Sequence, residues 1–306
     1  MQEFLSRSKT VEKMVLRLNR ILMRDLKQEY PDVDYFDEED LAESMQDVYQ
    51  QTGCPFVIII DEWDCIFRSR KNQLEEQTKY LDFLRDLLKD KSYIALAYMT
   101  GILPIKKYGE HSAINVFYEY SMTDASPIEE FTGFTEQEVR QLCEQYNMPF
   151  SETKKWYDGY RFGNEDIYCP WDVINHVDRL RGEPGAQPQS YWINTSGNDL
   201  VKRFVNRADK TTRDEMERLI AGESVEKEIR LELTYDEIDQ SIDNLWSVLF
   251  TTGYLTRIGK PVNGIYRLAI PNREVREVYI TQIQEWFKEK IRKETGSMQT
   301  FCKAFL

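Results

Sequence analysis

The hydrophobic pattern of the first 53 residues predicts two helices, the first of them a surface helix. In residues 10–28 the apolar positions recur with helical spacing, and charged residues occupy the opposite face. The stripe consists of Val11, Met14, Leu18, Leu22 and Leu26. After an acidic break, the segment DLAESMQDVYQQTG predicts a second helix that ends at Gly53. The first helix is expected to lie on a core with its apolar face.

The next segment predicts a strand, a helix and a second strand. The run Phe56 to Ile60 is short, β-branched and apolar on both faces, which predicts a strand of a parallel sheet that helices cover on both sides. A helical pattern in EEQTKYLDFLRDLLKD and a second apolar run, YIALAYMTGIL, follow it. This order predicts a parallel crossover unit, and Asp61 and Thr100 fall at the carboxyl ends of its strands, where open α/β sheets bind ligands. A third, weaker strand is expected around residues 116–120.

From residue 127 the pattern changes to short helices and aromatic-rich turns. Thr135 and Glu138 have the spacing of a capping box, and RGEPGAQPQ has the composition of a surface loop. Further on, DEIDQSIDNLWSVLFTTG predicts a helix, YLTRIG and IYRLAI predict two strands, and a long terminal helix follows. This order resembles a winged helix with GKPVNG as the wing. The expected domains are an α/β core (1–126), a helical lid region (127–230) and a winged-helix-like region with the terminal helix (231–306).

Composition and charge restrict the possible partners and the compartment. The 40 Lys and Arg against 53 Asp and Glu give a formal charge of -13, which argues against a whole-chain polyanion binder. The five cysteines form no C-x-x-C pair, which predicts free thiols, a reducing compartment and no structural zinc. Without an apolar run of about 18 residues or a signal peptide, the protein is expected to be soluble and cytoplasmic.

A local basic stretch near the C-terminus allows a weak nucleic-acid contact. Its basic residues are Arg257, Lys260, Arg267, Arg273 and Arg276. Glu274 is the one acidic residue between Arg257 and Arg276. Such clustering is a footprint of nucleic-acid binding, although it is short here.

Two carboxylates, Asp61 and Glu62, stand directly after the first apolar strand. This pattern is typical of the Walker B element of a nucleoside triphosphatase, in which the Asp holds Mg²⁺ and the Glu orients the attacking water. Thr100, at the end of the next strand, stands where such enzymes carry a polar residue that senses the γ-phosphate. The alternatives are a polar turn after a buried strand for the carboxylates and an ordinary strand-end threonine for Thr100.

The phosphate-binding loop that should accompany such a site is missing from the sequence. The pattern G-x-x-x-x-G-K-[ST] occurs nowhere. The nearest match, GYLTRIGKP, has five residues between its glycines and Pro261 in place of Ser or Thr, so we do not expect it to bind phosphate. Only two helices are predicted before Phe56. The loop is therefore expected upstream of Met1, and the chain is expected to be the middle of a longer protein.

Eight segments, in this order, resemble the bacterial AAA-ATPase-like family, whose members often carry a restriction-endonuclease-like domain at the C-terminus. They are FVIIIDEWD, MTGILPIKKYG, EEFTGFTEQEV, WYDGYRFG, IYCPWDVINHV, YWINTSGNDLV, LWSVLFTTGYLT and RLAIPNREVREVY. The resemblance covers about residues 40–285. It implies an α/β fold with a partial P-loop NTPase-like parallel sheet, followed by a mostly helical lid and a winged-helix-like region.

The resemblance also implies the ligands and the roles of the site residues. ATP and Mg²⁺ are the implied cofactors, with Asp61 and Glu62 at the Walker B positions, Asp61 on Mg²⁺ through water, and Thr100 at the sensor-like position. The implied function is a nucleotide-driven switch for an attached effector, such as a nuclease-like domain. Because the family's phosphate loop is missing, the 306 residues alone are expected to be inactive.

Three alternatives stay open on the sequence. The segment WYDGYRF is either a packed turn of the lid or a loop from which Arg161 reaches a nucleotide phosphate. The segment INTSGND is either a helix cap or a source of polar ligands, which would be Asn194, Thr195, Ser196 and Asn198. The protein as a whole could instead be a non-catalytic nucleic-acid or protein interaction module on a degenerate NTPase fold.

Overall fold

The computed structural model describes residues 1–102, 116–163, 165–192 and 199–304. The chain divides into two units by its contacts. The first unit contains Met1–Glu119 and the short segment Glu232–Glu237. The second contains Tyr120–Leu231 and Ile238–Leu306. The three-part division expected from the sequence stays a prediction.

The first unit contains five helices and one parallel pair of strands within its described residues. They are α1 (Gln2–Ser6), α2 (Val11–Glu29), α3 (Leu41–Thr52), β1 (Phe56–Ile60), α4 (Cys65–Ser69), α5 (Leu74–Leu88) and β2 (Ile94–Met99). The side chain of Thr10 accepts a hydrogen bond from the Lys13 amide at the start of α2, and Asp40 caps α3 in the same way. Gly53 ends α3 with a left-handed φ of 71°. The two predicted helices are confirmed.

Strands β1 and β2 pair in parallel, from Phe56 opposite Ile94 to Ile60 opposite Met99. The predicted strand, helix and strand order is therefore confirmed. The prediction that helices cover β1 on both faces is wrong for the described structure. Alternate side chains of a strand point to opposite faces. Ile60 is buried on one face, whereas Val57 and Ile59 on the other are 60% and 71% exposed.

The third predicted strand does not form. Residues 116–120 have no strand pairing, and the nearest β contact is an isolated bridge between Ser121 and Asp124. The segment VFYEY is rich in apolar and aromatic residues, but a strand also needs a neighbour for its backbone hydrogen bonds. Within the described residues the parallel sheet thus consists of β1 and β2.

The second unit is built from helices and two three-stranded antiparallel sheets, ordered β3-β5-β4 and β6-β8-β7. Its strands are β3 (Phe134–Thr135), β4 (Tyr160–Phe162), β5 (Glu165–Tyr168), β6 (Val225–Glu228), β7 (Thr256–Arg257) and β8 (Ile265–Ala269). Its helices are α6 (Glu136–Gln145), α7 (Phe150–Tyr157), α8 (Pro170–Gly182), α9 (Asp199–Arg207), α10 (Lys210–Ile220), α11 (Ile242–Thr251) and α12 (Arg273–Ala304). A 3-10 turn spans Glu129–Phe131. The capping box of Thr135 and Glu138 is confirmed.

Two elements of the second unit differ from the sequence predictions. Helix α11 begins at Ile242, later than predicted, because the Ser241 side chain accepts a hydrogen bond from the Asn244 amide and caps the helix there. The WYDGYRF segment does not form only a turn. Its last three residues are strand β4, which forms a hairpin with β5 across Gly163, whose φ is 55°.

The strands that precede the terminal helix form as predicted, and one more joins them. Strands β7 and β8 pair antiparallel, and α12 follows β8. Strand β6, with the sequence VEKE, adds to the other side of β8 and was not predicted. The winged-helix description of this region stays a prediction.

Cys54, Cys65, Cys143 and Cys169 are free thiols, as predicted. Among the helices of the described ranges, none has the length and apolar character needed to cross a membrane.

A buried pair of carboxyl groups joins two helices of the second unit. Asp172 in α8 and Glu274 in α12 are each 1% exposed and share a hydrogen bond. Glu274 Oε1 also accepts hydrogen bonds from the Trp192 amide (2.9 Å), the Ser190 hydroxyl (3.2 Å) and the Tyr191 amide. Burial, together with the nearby Glu274 charge, raises the pKa of Asp172 to about 8. Two adjacent buried carboxylates would repel each other, so a shared proton stabilises the pair.

Removing the ionisation of Asp172 is expected to change the pH dependence of stability. An unfolded Asp loses its proton near pH 3.9, whereas folded Asp172 keeps it to about pH 8. The folded protein therefore binds more protons in this window, and the free energy of unfolding falls as pH rises through it. Asp172→Asn mimics the protonated carboxyl and does not lose a proton in this window. From pH 5 to pH 8.5 its free energy of unfolding should therefore rise, relative to that of wild type, by at least about 1.4 kcal/mol, the equivalent of one pKa unit. Urea unfolding at several pH values measures this gain.

Asp166→Asn is the matched control for this experiment. Asp166 is half-exposed and pairs with Arg161 at the surface, so its variant should keep the wild-type pH slope. Equal pH slopes for Asp172→Asn and wild type would show that Asp172 is ionised in the folded protein.

Gly159 is expected to be intolerant of a side chain. Its φ is 110°, and a methyl group there would lie 2.1 Å from the carbonyl oxygen of Pro271. Gly159→Ala should therefore lower the free energy of unfolding by at least about 2 kcal/mol. Gly182→Ala, at the end of α8, is the control because its methyl group would meet nothing within 4 Å. Denaturant unfolding of the two variants should show a large loss for the first and a change below about 1 kcal/mol for the second.

Candidate functional site

The three catalytic residues predicted from the sequence meet at the carboxyl ends of β1 and β2. The Thr100 hydroxyl donates a hydrogen bond to Asp61 Oδ1, and the Glu62 amide donates to Thr100 Oγ1 at 3.2 Å. Parallel pairing causes this meeting, because the Thr100 amide donates to the Ile60 carbonyl at 3.0 Å and continues the strand ladder by one residue. The structure thus brings Asp61, Glu62 and Thr100 together, and their catalytic roles stay predictions.

The backbone of Glu62 is in a left-handed conformation, with φ of 52°. This conformation is unfavourable for a residue with a side chain, and it persists where the surroundings hold it. The Trp63 amide donates to the Thr100 carbonyl at 2.9 Å, which ties the turn after β1 to the end of β2. The side chain of Glu62 stays 41% exposed, so its carboxylate is accessible to solvent.

Three residues around this turn were not identified from the sequence: Asp64, Arg68 and Tyr235. The Asp64 side chain is completely buried, and Arg68 Nη2 lies 3.7 Å from Asp64 Oδ1 and 3.2 Å from Glu62 Oε1. Asp64 Oδ2 accepts hydrogen bonds from the Ile102 amide (2.7 Å) and the Tyr235 hydroxyl (2.6 Å). The four-residue spacing of Asp64 and Arg68 on one helical turn was an available signal. No sequence signal connects Tyr235 to them.

The oxygen ligands of the site fit Mg²⁺ held jointly with a nucleotide. Asp61 is exposed and Thr100 is half-buried, and both offer the hard oxygen atoms that Mg²⁺ prefers. No cluster of three or more His, Cys, Asp or Glu residues suited to a metal occurs in the part of the chain that the structure describes. Mg²⁺ commonly binds one or two carboxylates together with phosphates and water. The residues present therefore fit a nucleotide-bound Mg²⁺ and do not fit a metal held by the protein alone.

The other predicted ligands lie in the second unit or outside the described residues. Arg161 is in β4, where its Nη1 atom pairs with Asp166 Oδ1 at 2.6 Å. Its predicted contact with a nucleotide phosphate stays a prediction. The predicted polar ligands of the INTSGND segment lie outside the described residues: Asn194, Thr195, Ser196 and Asn198.

Several residues of the basic stretch contact other groups of the second unit. Arg257 Nη2 donates to the Gly163 carbonyl at 2.9 Å. Arg273 lies over the Trp156 ring, 4.5 Å from its centroid, and pairs with Glu277 at 3.6 Å.

The remaining basic residues differ in their surroundings. Arg267 stands opposite Glu226 in the register of β6 and β8, and both Arg267 and Lys260 are exposed. Arg276 is half-buried. Nucleic-acid binding by this stretch stays a prediction.

Comparisons with known proteins give one family match, to the N-terminal segment of the chain. An uncharacterized protein in the vnfD 5' region of Azotobacter chroococcum mcd 1 is 26% identical over 247 residues, covering 77% of this chain and 44% of that protein. The chain thus spans less than half the length of this relative. No solved structure matches. The sequence profile of the family described as "Predicted AAA-ATPase" matches residues 2–109, which contain β1, β2 and the site. The comparisons therefore support assignment of residues 2–109 to the predicted AAA-ATPase-like family, with no specific activity shown.

Proposed function

We propose that the turn after β1 is the Mg²⁺- and water-positioning part of an ATP-hydrolysing site. The observation that carries this proposal is the meeting of Asp61, Glu62 and Thr100 at the carboxyl ends of two parallel strands. This edge of a parallel sheet is where α/β folds bind ligands. The match of residues 2–109 to the predicted AAA-ATPase family supports the same reading.

Each residue has a distinct role in this proposal. Asp61 accepts the Thr100 hydroxyl and keeps its second oxygen for a water molecule on Mg²⁺. Thr100 links Asp61 to the Glu62 amide and would sense the γ-phosphate. Glu62 is the exposed carboxylate that orients the attacking water. When bound, Mg²⁺ neutralises the charge that develops on the β- and γ-phosphate oxygens.

The phosphate contacts have to come from another segment. The sequence contains no G-x-x-x-x-G-K-[ST] loop, and one carboxylate cannot replace the several backbone amides that such a loop directs at the phosphates. We therefore place ATP hydrolysis in a longer polypeptide that carries this loop. There the module would act as a nucleotide-driven switch for an attached effector, and a nuclease-like domain is the effector that the sequence resemblance implies.

A non-catalytic interaction module on a degenerate NTPase fold is the alternative function. It would need neither a phosphate loop nor an accessible Glu62. The gene sequence upstream of the codon for Met1 separates the two functions. A phosphate-loop motif encoded there supports hydrolysis, and an open reading frame that starts at Met1 supports the interaction module.

Conservative changes in the carboxylates are expected to remove activity while leaving the fold intact. In a longer polypeptide with its phosphate loop, Asp61→Asn should reduce Mg²⁺-dependent hydrolysis by about 100-fold or more. Glu62→Gln should slow turnover to a similar degree but retain bound nucleotide. Both melting temperatures should stay near wild type, because Asp61 is exposed and the Glu62 side chain is 41% exposed. Steady-state ATPase assays, nucleotide binding and thermal unfolding measure these effects.

Asp82→Asn is the control for charge loss in the same unit. Asp82 lies on α5 in a half-exposed ion pair with Arg85, so its variant should keep full activity. Undiminished hydrolysis by Asp61→Asn would contradict the catalytic role. Asp61 and Glu62 would then be only a polar turn that follows a strand.

Residues 1–306 alone are expected to bind ATP weakly. The loop that supplies most phosphate contacts is missing from the sequence, and Asp61 with Thr100 offers Mg²⁺ few protein ligands. Isothermal titration calorimetry with Mg·ATP should detect no saturable binding in the micromolar range. Micromolar affinity would mean that these residues contain an unrecognised phosphate site, and GYLTRIGKP would be the first segment to mutate.

A further inference from the structure

Asp64 is a buried carboxylate that the proposed hydrolysis does not use. Its side chain is 0% exposed, whereas Asp61, three residues earlier, is exposed. Burial of a carboxylate is unfavourable by several kcal/mol unless hydrogen bonds and an opposite charge compensate it. An apolar residue would fill the same space without that penalty. Asp64 therefore contributes something that packing alone does not require.

The partners of Asp64 join the two loops that form the candidate site. Its Oδ2 atom accepts the Ile102 amide at 2.7 Å, and Ile102 lies two residues beyond Thr100. Gly101, between Thr100 and Ile102, packs directly against Trp63. A methyl group on Gly101 would lie 2.3 Å from Trp63 Nε1, so the contact leaves no space for a side chain. Asp64 thus fixes the turn that carries Glu62 against the loop that carries Thr100.

The second partner of Asp64 comes from a distant part of the sequence. Tyr235 lies in the segment Glu232–Glu237, which belongs to the first unit although the residues on both sides of it belong to the second. Its hydroxyl donates to Asp64 Oδ2 at 2.6 Å, and its ring stacks on Phe67 with an interplanar angle of 3°. Tyr235 is buried, so its hydroxyl acts on Asp64 away from solvent.

Arg68 connects the buried carboxylate to the exposed one. Its Nη2 atom lies 3.7 Å from Asp64 and 3.2 Å from Glu62. The guanidinium group stays charged at all relevant pH values. Its position between Asp64 and Glu62 is therefore favoured by attraction to both carboxylates. Asp64 holds Arg68 from the buried side, and Arg68 holds the Glu62 carboxylate on the solvent side.

We propose that Asp64, Tyr235 and Arg68 form a clamp that positions the Glu62 carboxylate for hydrolysis. This inference rests on the proposed function, because it assigns Glu62 the task of orienting water. Asp64 and Tyr235 are positioning residues, since neither is exposed to substrate. Through the Tyr235 hydroxyl and ring, the clamp also makes the position of this turn depend on the segment Glu232–Glu237.

The geometry of the clamp is tested on the 306-residue protein by ¹⁹F NMR with 5-fluorotryptophan. Trp63 is buried beside Asp64 and is one of six tryptophans, and Trp63→Phe assigns its resonance. Tyr235→Phe removes the hydroxyl but keeps the ring on Phe67. We expect a shift or broadening of the Trp63 resonance and unchanged resonances from the others. Tyr118→Phe, a change at a 90% exposed tyrosine of the same unit, should leave all resonances unchanged. An unchanged Trp63 resonance in Tyr235→Phe would overturn the clamp.

The effect on catalysis is tested in the longer polypeptide with its phosphate loop. Tyr235→Phe and Asp64→Asn should each lower kcat about 10-fold while leaving KM for ATP unchanged, because the nucleotide contacts stay in place. In combination with Glu62→Gln, Tyr235→Phe should add no further loss, since both changes act through one group. A merely structural role would instead raise KM and add to the Glu62→Gln defect, and this result would overturn the clamp.

The two tests separate failure of the clamp from failure of the proposed function. If wild-type longer polypeptide hydrolyses no ATP, the proposed function is wrong, and the ¹⁹F experiment still decides whether Tyr235 fixes the turn. If Tyr235→Phe unfolds the protein, Asp64→Asn provides the second variant, because its amide oxygen still accepts the Ile102 amide and the Tyr235 hydroxyl. In that variant the pairing with Arg68 is lost, and kcat should fall with an unchanged KM. Wild-type kcat in Asp64→Asn would contradict the clamp.

Discussion

The parallel pairing of β1 and β2 is the constraint on which the candidate site depends. The ladder runs from Phe56 to Ile60, and the Thr100 amide continues it on the Ile60 carbonyl. Parallel strands end at the same edge, so residues 39 positions apart, Thr100 and Asp61, come within hydrogen-bond distance. The left-handed backbone of Glu62 then turns the chain at this edge and leaves its carboxylate accessible.

In the described part of the chain, the same pair of strands has an exposed apolar face. Val57, Ile59, Leu96 and Tyr98 are each more than half exposed, although parallel sheets usually have both faces covered. An isolated pair of strands gains little stability by itself. The contacts at its carboxyl edge therefore matter more than they would in a large sheet. Trp63 against Gly101 and Asp64 against the Ile102 amide both reinforce that edge.

Buried carboxyl groups organise both units, by different means. Asp64 in the first unit accepts hydrogen bonds from the Ile102 amide and the Tyr235 hydroxyl, and it lies 3.7 Å from the Arg68 guanidinium group. Asp172 in the second unit faces another carboxylate, so burial and repulsion favour its protonated form. Asp64 accepts the Ile102 amide, and Glu274, the partner of Asp172, accepts the Tyr191 and Trp192 amides. A buried carboxyl group thus holds a loop in each unit.

The sequence by itself determined the elements whose signals are local. The apolar stripe and caps of α2 and α3, the capping box at Thr135, and the order of β1, α5 and β2 all follow from spacing and residue type. The meeting of Asp61, Glu62 and Thr100 could also be predicted, because parallel strands align their carboxyl ends without reference to the rest of the chain.

Tertiary structure decided the features that depend on distant partners. Strand β6, with the sequence VEKE, has no apolar alternation and forms because β8 offers its backbone groups. The exposure of Val57 and Ile59 could not be predicted either, since an apolar residue shows only that it can be buried and not what covers it. Tyr235 stands 171 residues from Asp64, and a single hydrogen bond across that distance leaves no periodic pattern in the sequence. The carboxylates of the site could thus be found from local sequence, whereas the groups that hold them in place depend on how the whole chain folds.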